Sequence, residues 1–196
     1  MSAAGTMTHL SQRRERALVD RCIDGDEDAW RQLYEAHAPC VTRVAARIML
    51  DAGAVNDVVQ AVFIECFRNL PTFRGEAKLS TWLCAVTVRV VSTHRRTEGR
   101  HRRRVAALAQ EPQVVSGASP ERAAVARGEV NQVRAALASV PLQRRAAFVM
   151  REIEGLSTRD VAEILQIPEA TVRTHVARTR KAILAQLIQW QEDEGA

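Results

Sequence analysis

"GLSTRDVAEILQIPEATVRTHVARTRKAI" runs from Gly155 to Ile183, and its spacing decides the reading of the chain. Ser157 and Asp160 stand three apart, the spacing of a capping box with Asp in the usual Glu or Gln place. A short helix with Val161, Ile164 and Leu165 on one side follows. "QIP" supplies a turn, and Pro168 with Glu169 starts a second helix that turns Val172, Val176, Ile183 and Leu187 inward. The outer face of its first turns shows Thr171, Arg173, Thr174, His175 and Arg178. This is the pattern of a helix-turn-helix: one helix braces while the next lays its N-terminal half in the major groove. An ordinary helical hairpin with a solvated polar face shares the skeleton, but the cap, the short turn and the basic face together favour DNA. Arg178, Arg180 and Lys181 extend toward phosphates, which position a helix without reading sequence.

The rest of the chain fits an all-helical protein. Of 196 residues, 46% are hydrophobic but only 4% aromatic, so aliphatic side chains must build the core. Glycine (9) and proline (6) are scarce, which favours helix over turn-rich sheet. Net charge is +5, and Lys78 and Lys181 are the only lysines among 28 basic residues. Arginine suits phosphates and guanine edges, although a GC-rich genome enriches it regardless of function. Cys22, Cys40, Cys66 and Cys84 are widely spaced, with no CxxC and no CxH, so they read as small hydrophobes. A metal site built from them with His37 or His94 is the weaker alternative; no metal and no cofactor is expected. No signal-peptide pattern opens the sequence and no apolar run approaches the ~18 residues of a membrane span. The expectation is a cytoplasmic protein with reduced thiols and no direct membrane insertion.

Two domains emerge. Residues 1–9 carry no pattern, and a short helix is expected between Ser11 and Gly25. Asp26 caps a helix with Trp30, Leu33, Tyr34 and His37 on one face; Pro39 should break or kink it before Val41, Val44, Ala45 and Ile48 resume the spacing. Val55, Val58, Val59, Val62, Phe63, Cys66, Phe67 and Leu70 form the most regular apolar stripe in the chain, ended by Pro71. A loop, "TFRGEAKL", leads to Ser80 as a helix cap, with Leu83, Val86 and Val90 beyond. Arg89, Arg95, Arg96, Arg100, Arg102, Arg103 and Arg104 then cluster against a single acid, Glu98. Residues 10–98 read as the first domain and 99–118 as a flexible linker. Ser119-Pro120-Glu121 is a strong helix start for a second domain, 119–192. There Val130, Val133, Leu137 and Val140 face inward, followed from Pro141 by Leu142, Ala146, Val149 and Ile153.

"GDEDAWRQLYEAHAPCVTRVAARIML" and "DVVQAVFIECFRNLPTFRGEAKLSTWL" resemble the second conserved domain of bacterial sigma factors. "PLQRRAAFVMREIEGLSTRDVAEILQIPEATVRTHVARTRKAIL" resembles their fourth. With no room between them for a third domain, the pattern is similar to the extracytoplasmic-function (ECF) group. The resemblance implies a promoter-specificity subunit that binds core RNA polymerase, without catalysis of its own or a small-molecule substrate. It implies that the helix 55–70 docks on the clamp helices of the largest polymerase subunit through Asp57, Gln60, Glu65 and Arg68. It implies that the loop 72–80 and the following helix hold the melted −10 strand. The residues expected there are Phe73, Lys78, Ser80, Trp82, Arg89, Thr93, Arg95 and Arg96; Trp82 and Phe73 can equally be packing residues. Thr171, Arg173, Thr174, His175 and Arg178 are then the −35 readers, with the C-terminal domain also touching the polymerase flap. An anti-sigma factor, often membrane-anchored, is the implied regulator.

Three positions depart from the family pattern. Ala61 replaces a usual acid in the docking helix, Arg89-Val90 replaces an asparagine-centred pattern, and His175 replaces a common arginine. His175 also makes "TVRTHV" similar to the helix-turn-helix of response regulators. The competing reading is therefore a stand-alone helix-turn-helix regulator with an N-terminal sensing domain, which leaves the 55–104 pattern unexplained.

Overall fold

The computed structural model describes residues 3–109 and 129–194, and every regular element among them is helical. The chain divides into two compact units, Met1–Val90 and Val91–Ala196.

The first unit contains α1 (Ala3–Ile23), α2 (Glu27–Met49), α3 (Val55–Asn69), a 3₁₀ turn (Leu70–Thr72) and the start of α4 (Leu79–Ala109). α1 thus begins before Ser11, the expected start. Asp26 caps α2 as expected: its carboxylate accepts from Ala29 N at 3.0 Å and pairs with Arg21 at 2.6 Å. The Ala29 N–H, then Arg21, hold that carboxyl below its ordinary range. Pro39 does not break α2, which runs unbroken to Met49. A mid-helix proline costs about 3 kcal/mol. Leu33 before it and Val41, Val44 and Ile48 after it are all buried, and each contributes about 1.5–3 kcal/mol by leaving water. Packing outweighs the proline. The core is completed by Val19, Val58, Val62, Leu70, Leu79 and Leu83, each at most 1% exposed.

Two expectations about this unit need correction. Ser80 is not the cap of α4, because the helix already starts at Leu79. The Leu79 N–H is satisfied instead by Glu15 Oε2 of α1 at 3.2 Å. Nor does α4 stop near residue 98. It continues to Ala109, across residues expected as linker. No proline interrupts that stretch and arginine and alanine are strong helix formers, so local propensity carries it. Residues 110–118 and the Ser119-Pro120-Glu121 helix start lie outside the described residues.

The second unit contains α5 (Glu129–Ala138), α6 (Leu142–Phe148), a π-turn (Val149–Ile153), α7 (Thr158–Leu165) and α8 (Glu169–Glu194). Leu137, Val140, Ala146, Ala147, Val149, Met150, Val161 and Val172 form its core. Ile153, expected inward, is 38% exposed. The π-turn explains this: Glu154 N donates to Val149 O and Leu156 N to Met150 O, so the register slips and Met150 is buried instead. Arg145 is 2% exposed and its Nη2 donates to Val140 O at 2.9 Å. Burial draws its pKa down to about 10, which leaves it charged at neutral pH.

Candidate nucleic-acid interface

The helix-turn-helix is built locally, as its spacing dictates. Ser157 Oγ accepts from Asp160 N at 3.0 Å, and Asp160 Oδ2 accepts from Ser157 N at 3.3 Å, closing the capping box of α7. Gln166 takes the left-handed conformation that ends α7, and Pro168 then starts α8. Val172, Val176, Thr179 and Ile183 are the buried stripe of α8. Arg173, Thr174 and Arg178 are exposed on its first turns. Arg173 Nη1 lies 3.3 Å from Glu169 Oε2, an exposed i,i+4 pair that a ligand can displace at small cost. Thr174 Oγ1 donates to Ala170 O at 2.9 Å, which ties its hydroxyl back to the helix.

Two of the expected readers sit differently. Thr171 and His175 are half-buried at the edge of the outer face. Nδ1 of His175 is enclosed and has no hydrogen-bond partner among the described residues. Desolvation, then Arg144 and Arg178, lowers the His175 pKa, so the imidazole is held neutral. Arg180 does not extend freely toward phosphate either: its Nη2 lies 2.6 Å from Glu152 Oε2, tying α8 to the π-turn.

In the first unit, Lys78 and Arg89 are exposed, and Ser80 and Trp82 are half-buried. Phe73 is only 7% exposed and packs on Trp82 with ring centroids 5.7 Å apart. In this conformation the Phe73 ring is a wall of the loop rather than a free stacking surface, a correction to the sequence expectation. Ser80 likewise lines a small pocket with His37, Cys40, Leu83, Cys84 and Thr87. Thr93, Arg95 and Arg96 belong to the second unit's part of α4 and are exposed.

The outer face of α3 is more apolar than its spacing predicts. Asp57, Gln60 and Arg68 are exposed, whereas Glu65 is half-buried with Oε1 accepting from Asn69 Nδ2 at 2.8 Å. Among them stand Ile64, 53% exposed, and Phe67, 62% exposed. Phe67 stacks against Trp30 at 4.9 Å and Phe63 against Tyr34 at 4.6 Å. The spacing of the apolar residues had placed Phe67 and Tyr34 inward. The available signal was redundancy: Val58, Val59, Val62 and Cys66 already fill one face of a three- to four-step stripe, so Phe67 falls outside it. An exposed aromatic edge flanked by charges is the composition of a protein-binding surface.

Cys22, Cys66 and Cys84 are buried and Cys40 half-buried, and none of the four is in a disulfide. Burial pushes the Cys66 thiol up to about 12, well away from thiolate chemistry.

One unit thus presents a capped helix-turn-helix with Arg173, Thr174 and Arg178 exposed, and the other an α3 face edged by Ile64 and Phe67 among charged residues. The sigma-70 region 2 family matches residues 33–109, and sigma-70 region 4 matches residues 131–183. The RNA polymerase sigma-H factor of Pseudomonas aeruginosa is 32% identical over 89% of this chain and 94% of its own. The ECF RNA polymerase sigma-E factor of Escherichia coli is 31% identical over 88% of this chain and 93% of its own. The fold is similar to that of the sigma factor RpoE in its complex with the anti-sigma factor NepR from Bartonella quintana. That match has a TM-score of 0.66 at 18% identity and covers 80% of this chain and 95% of that one. CnrH in complex with the cytosolic domain of CnrY has a TM-score of 0.65 at 19% identity, covering 89% and 97%. The chain belongs to the ECF group of RNA polymerase sigma factors, and its function is promoter recognition in transcription initiation.

Proposed function

We propose that the two domains divide promoter recognition between them, 10–98 taking core polymerase and the melted −10 strand and 119–192 taking the −35 duplex. The observation that carries this division is the capped helix-turn-helix with Arg173, Thr174 and Arg178 exposed on the first turns of α8. A rigid helix of this kind suits duplex DNA, in which base edges are read in the major groove. Strand capture needs a loop and cationic side chains, which Lys78, Arg89, Arg95 and Arg96 supply, with Thr93 adding a hydroxyl. Ser80 and Trp82 are half-buried members of that set, and Phe73 contributes from behind by supporting Trp82.

Asp57, Gln60 and Arg68, with Ile64 and Phe67 between them, form the docking face for the clamp helices of core polymerase, and Glu65 borders it. The second domain adds a contact to the polymerase flap. The protein acts as a non-enzymatic cytoplasmic factor; among the described residues no helix is long and apolar enough to cross a membrane. Sigma factors of similar fold are found with anti-sigma factors, which supports an anti-sigma factor as the regulator of this chain.

Selection of −35 sequences with reconstituted holoenzyme tests the assignment. If Arg173 makes a bidentate guanine contact, Arg173→Ala costs about 1–3 kcal/mol and relaxes preference at one −35 position. Unchanged preference with undiminished run-off transcription removes α8 as the reader. Promoter-specific binding by the free chain, with no transcription when core polymerase is added, replaces this reading by a stand-alone regulator.

A further inference from the structure

Beside the loop that follows α3 lies an open groove of about 440 Å³, within the ~300–1,000 Å³ range of ligand sites. It is lined by Arg13, Glu15 and Arg16 of α1 and by Phe73, Arg74, Gly75 and Ala77 of the loop. Three arginines and one glutamate therefore share its lining. Glu15 is already engaged by the Leu79 N–H. Arg16 is also committed: Nη1 donates to Phe73 O at 3.3 Å and Nε pairs with Asp20 at 3.0 Å. Arg13 and Arg74 are exposed, and neither makes an ion pair among the described residues. Gly75 has φ of +72° at this wall, and a Cβ there would sit 3.7 Å from Arg16 Nη1. An L side chain would be strained there, so the wall stays low and the groove open.

We propose that this groove is a phosphate-binding site, in which Arg13 and Arg74 hold a backbone phosphate of the unpaired promoter strand while Arg16 fixes the wall between them. The inference rests on the strand-binding reading of the first domain and adds α1 to it. Two guanidinium groups facing one groove repel each other, and a phosphate relieves that repulsion with charge-assisted hydrogen bonds. The groove adjoins the loop carrying Lys78, so a strand following that loop passes it. A phosphate contact fixes the path of the strand and carries no base preference.

The test uses holoenzyme and a fluorescent single-stranded −10 oligonucleotide, with anisotropy read across a salt series. Arg13→Ala with Arg74→Ala is expected to weaken binding about threefold, and the slope of log affinity against log salt should fall by about 0.7, the contribution of one phosphate of a single strand. Base preference should be unaffected, and Arg13→Lys with Arg74→Lys should retain much of the salt slope because the charge remains. Circular-dichroism melting shows that the variants are folded. Wild-type affinity and slope in the alanine double variant overturn the site while leaving the strand-binding reading intact. Equal binding by wild-type holoenzyme and core polymerase alone overturns both. A mononucleotide, dTMP, and inorganic phosphate form the remaining arms. If either binds wild-type protein and not the double variant while oligonucleotide affinity is unchanged, the groove serves free phosphates rather than the strand, and the proposal is overturned.

Discussion

The two units solve the same packing problem with different materials. The first buries large aliphatic side chains from four helices, with Leu33, Ile48, Leu70, Leu79 and Leu83 all at most 1% exposed. The second, among its described residues, buries mostly valines (Val140, Val149, Val161, Val172, Val176) with Leu137 and Ile183, adds Ala136, Ala146, Ala147 and Met150, and includes a charged side chain, Arg145. Under the proposed division of labour, the difference matches the work each unit would do. A unit that presents an aromatic-edged docking face and an anchored loop needs a deep core behind it. A unit that presents a helix to a groove needs little more than a brace, and the capping box and a buried stripe on α8 provide it.

Substitutions can break this contrast. The largest effect is expected from Leu33→Ala, which removes a fully buried side chain from the first unit and should cost about 2–5 kcal/mol. Urea unfolding followed by circular dichroism measures it; a decrease well below that range would mean that the core collapses around the gap. Arg145→Ala is the counterpart in the second unit. It leaves Val140 O without its Nη2 donor, and a buried acceptor deprived of its partner costs about 1–3 kcal/mol. A stabilised Arg145→Ala variant in the same assay would show that desolvating the guanidinium outweighs the bonds it makes.

Acid should separate the units by a smaller margin. His37 in the first and His175 in the second both have pKa values lowered from the ordinary 6.5, in each case chiefly by desolvation. A histidine depressed in the folded state binds its proton more readily when unfolded. Its contribution is fully present above 6.5 and is lost as pH falls through that value toward the folded pKa. Thermal melting between about pH 7.5 and about pH 5 should therefore show a decline that His37→Gln reduces through the first unit and His175→Gln through the second. Identical pH profiles in wild type and both variants would mean that neither imidazole is held neutral by the fold.

What the sequence makes legible is local arithmetic. Ser157 to Asp160, the valines of α3 and the inward set of α8 are set by steps of three and four along one helix, and the structure keeps them. Three features answer to contacts that spacing does not contain. Pro39 stays inside α2 because residues on both sides of it are buried against other helices. The N-terminus of α4 is satisfied by Glu15, distant in the chain, so no neighbouring residue signals it. Ile153 turns outward because a single π-turn shifts the register, and both α and π registers fit an apolar sequence of that length. The candidate site follows the same rule. Arg173, Thr174 and Arg178 are readable from helical phase, whereas the exposure of Phe67 and the meeting of Arg13 with Arg74 depend on which helices pack together.

The grip of α1 on the loop has a consequence for how the chain tolerates change. Arg16 holds the carbonyl of Phe73 and Glu15 holds the amide of Leu79, so both ends of the segment 74–78 are moored to one helix. Lengthening a loop whose ends are already fixed adds little entropy cost, about 0.6 kcal/mol for each doubling of length. As far as the fold is concerned, the segment can therefore change in length while the start of α4 stays where it is; the strand contacts proposed for Arg74 and Lys78 are a separate constraint on its composition. For the placement of α4, the mooring posts on α1 rather than the length of the loop they hold are the part that has to be kept.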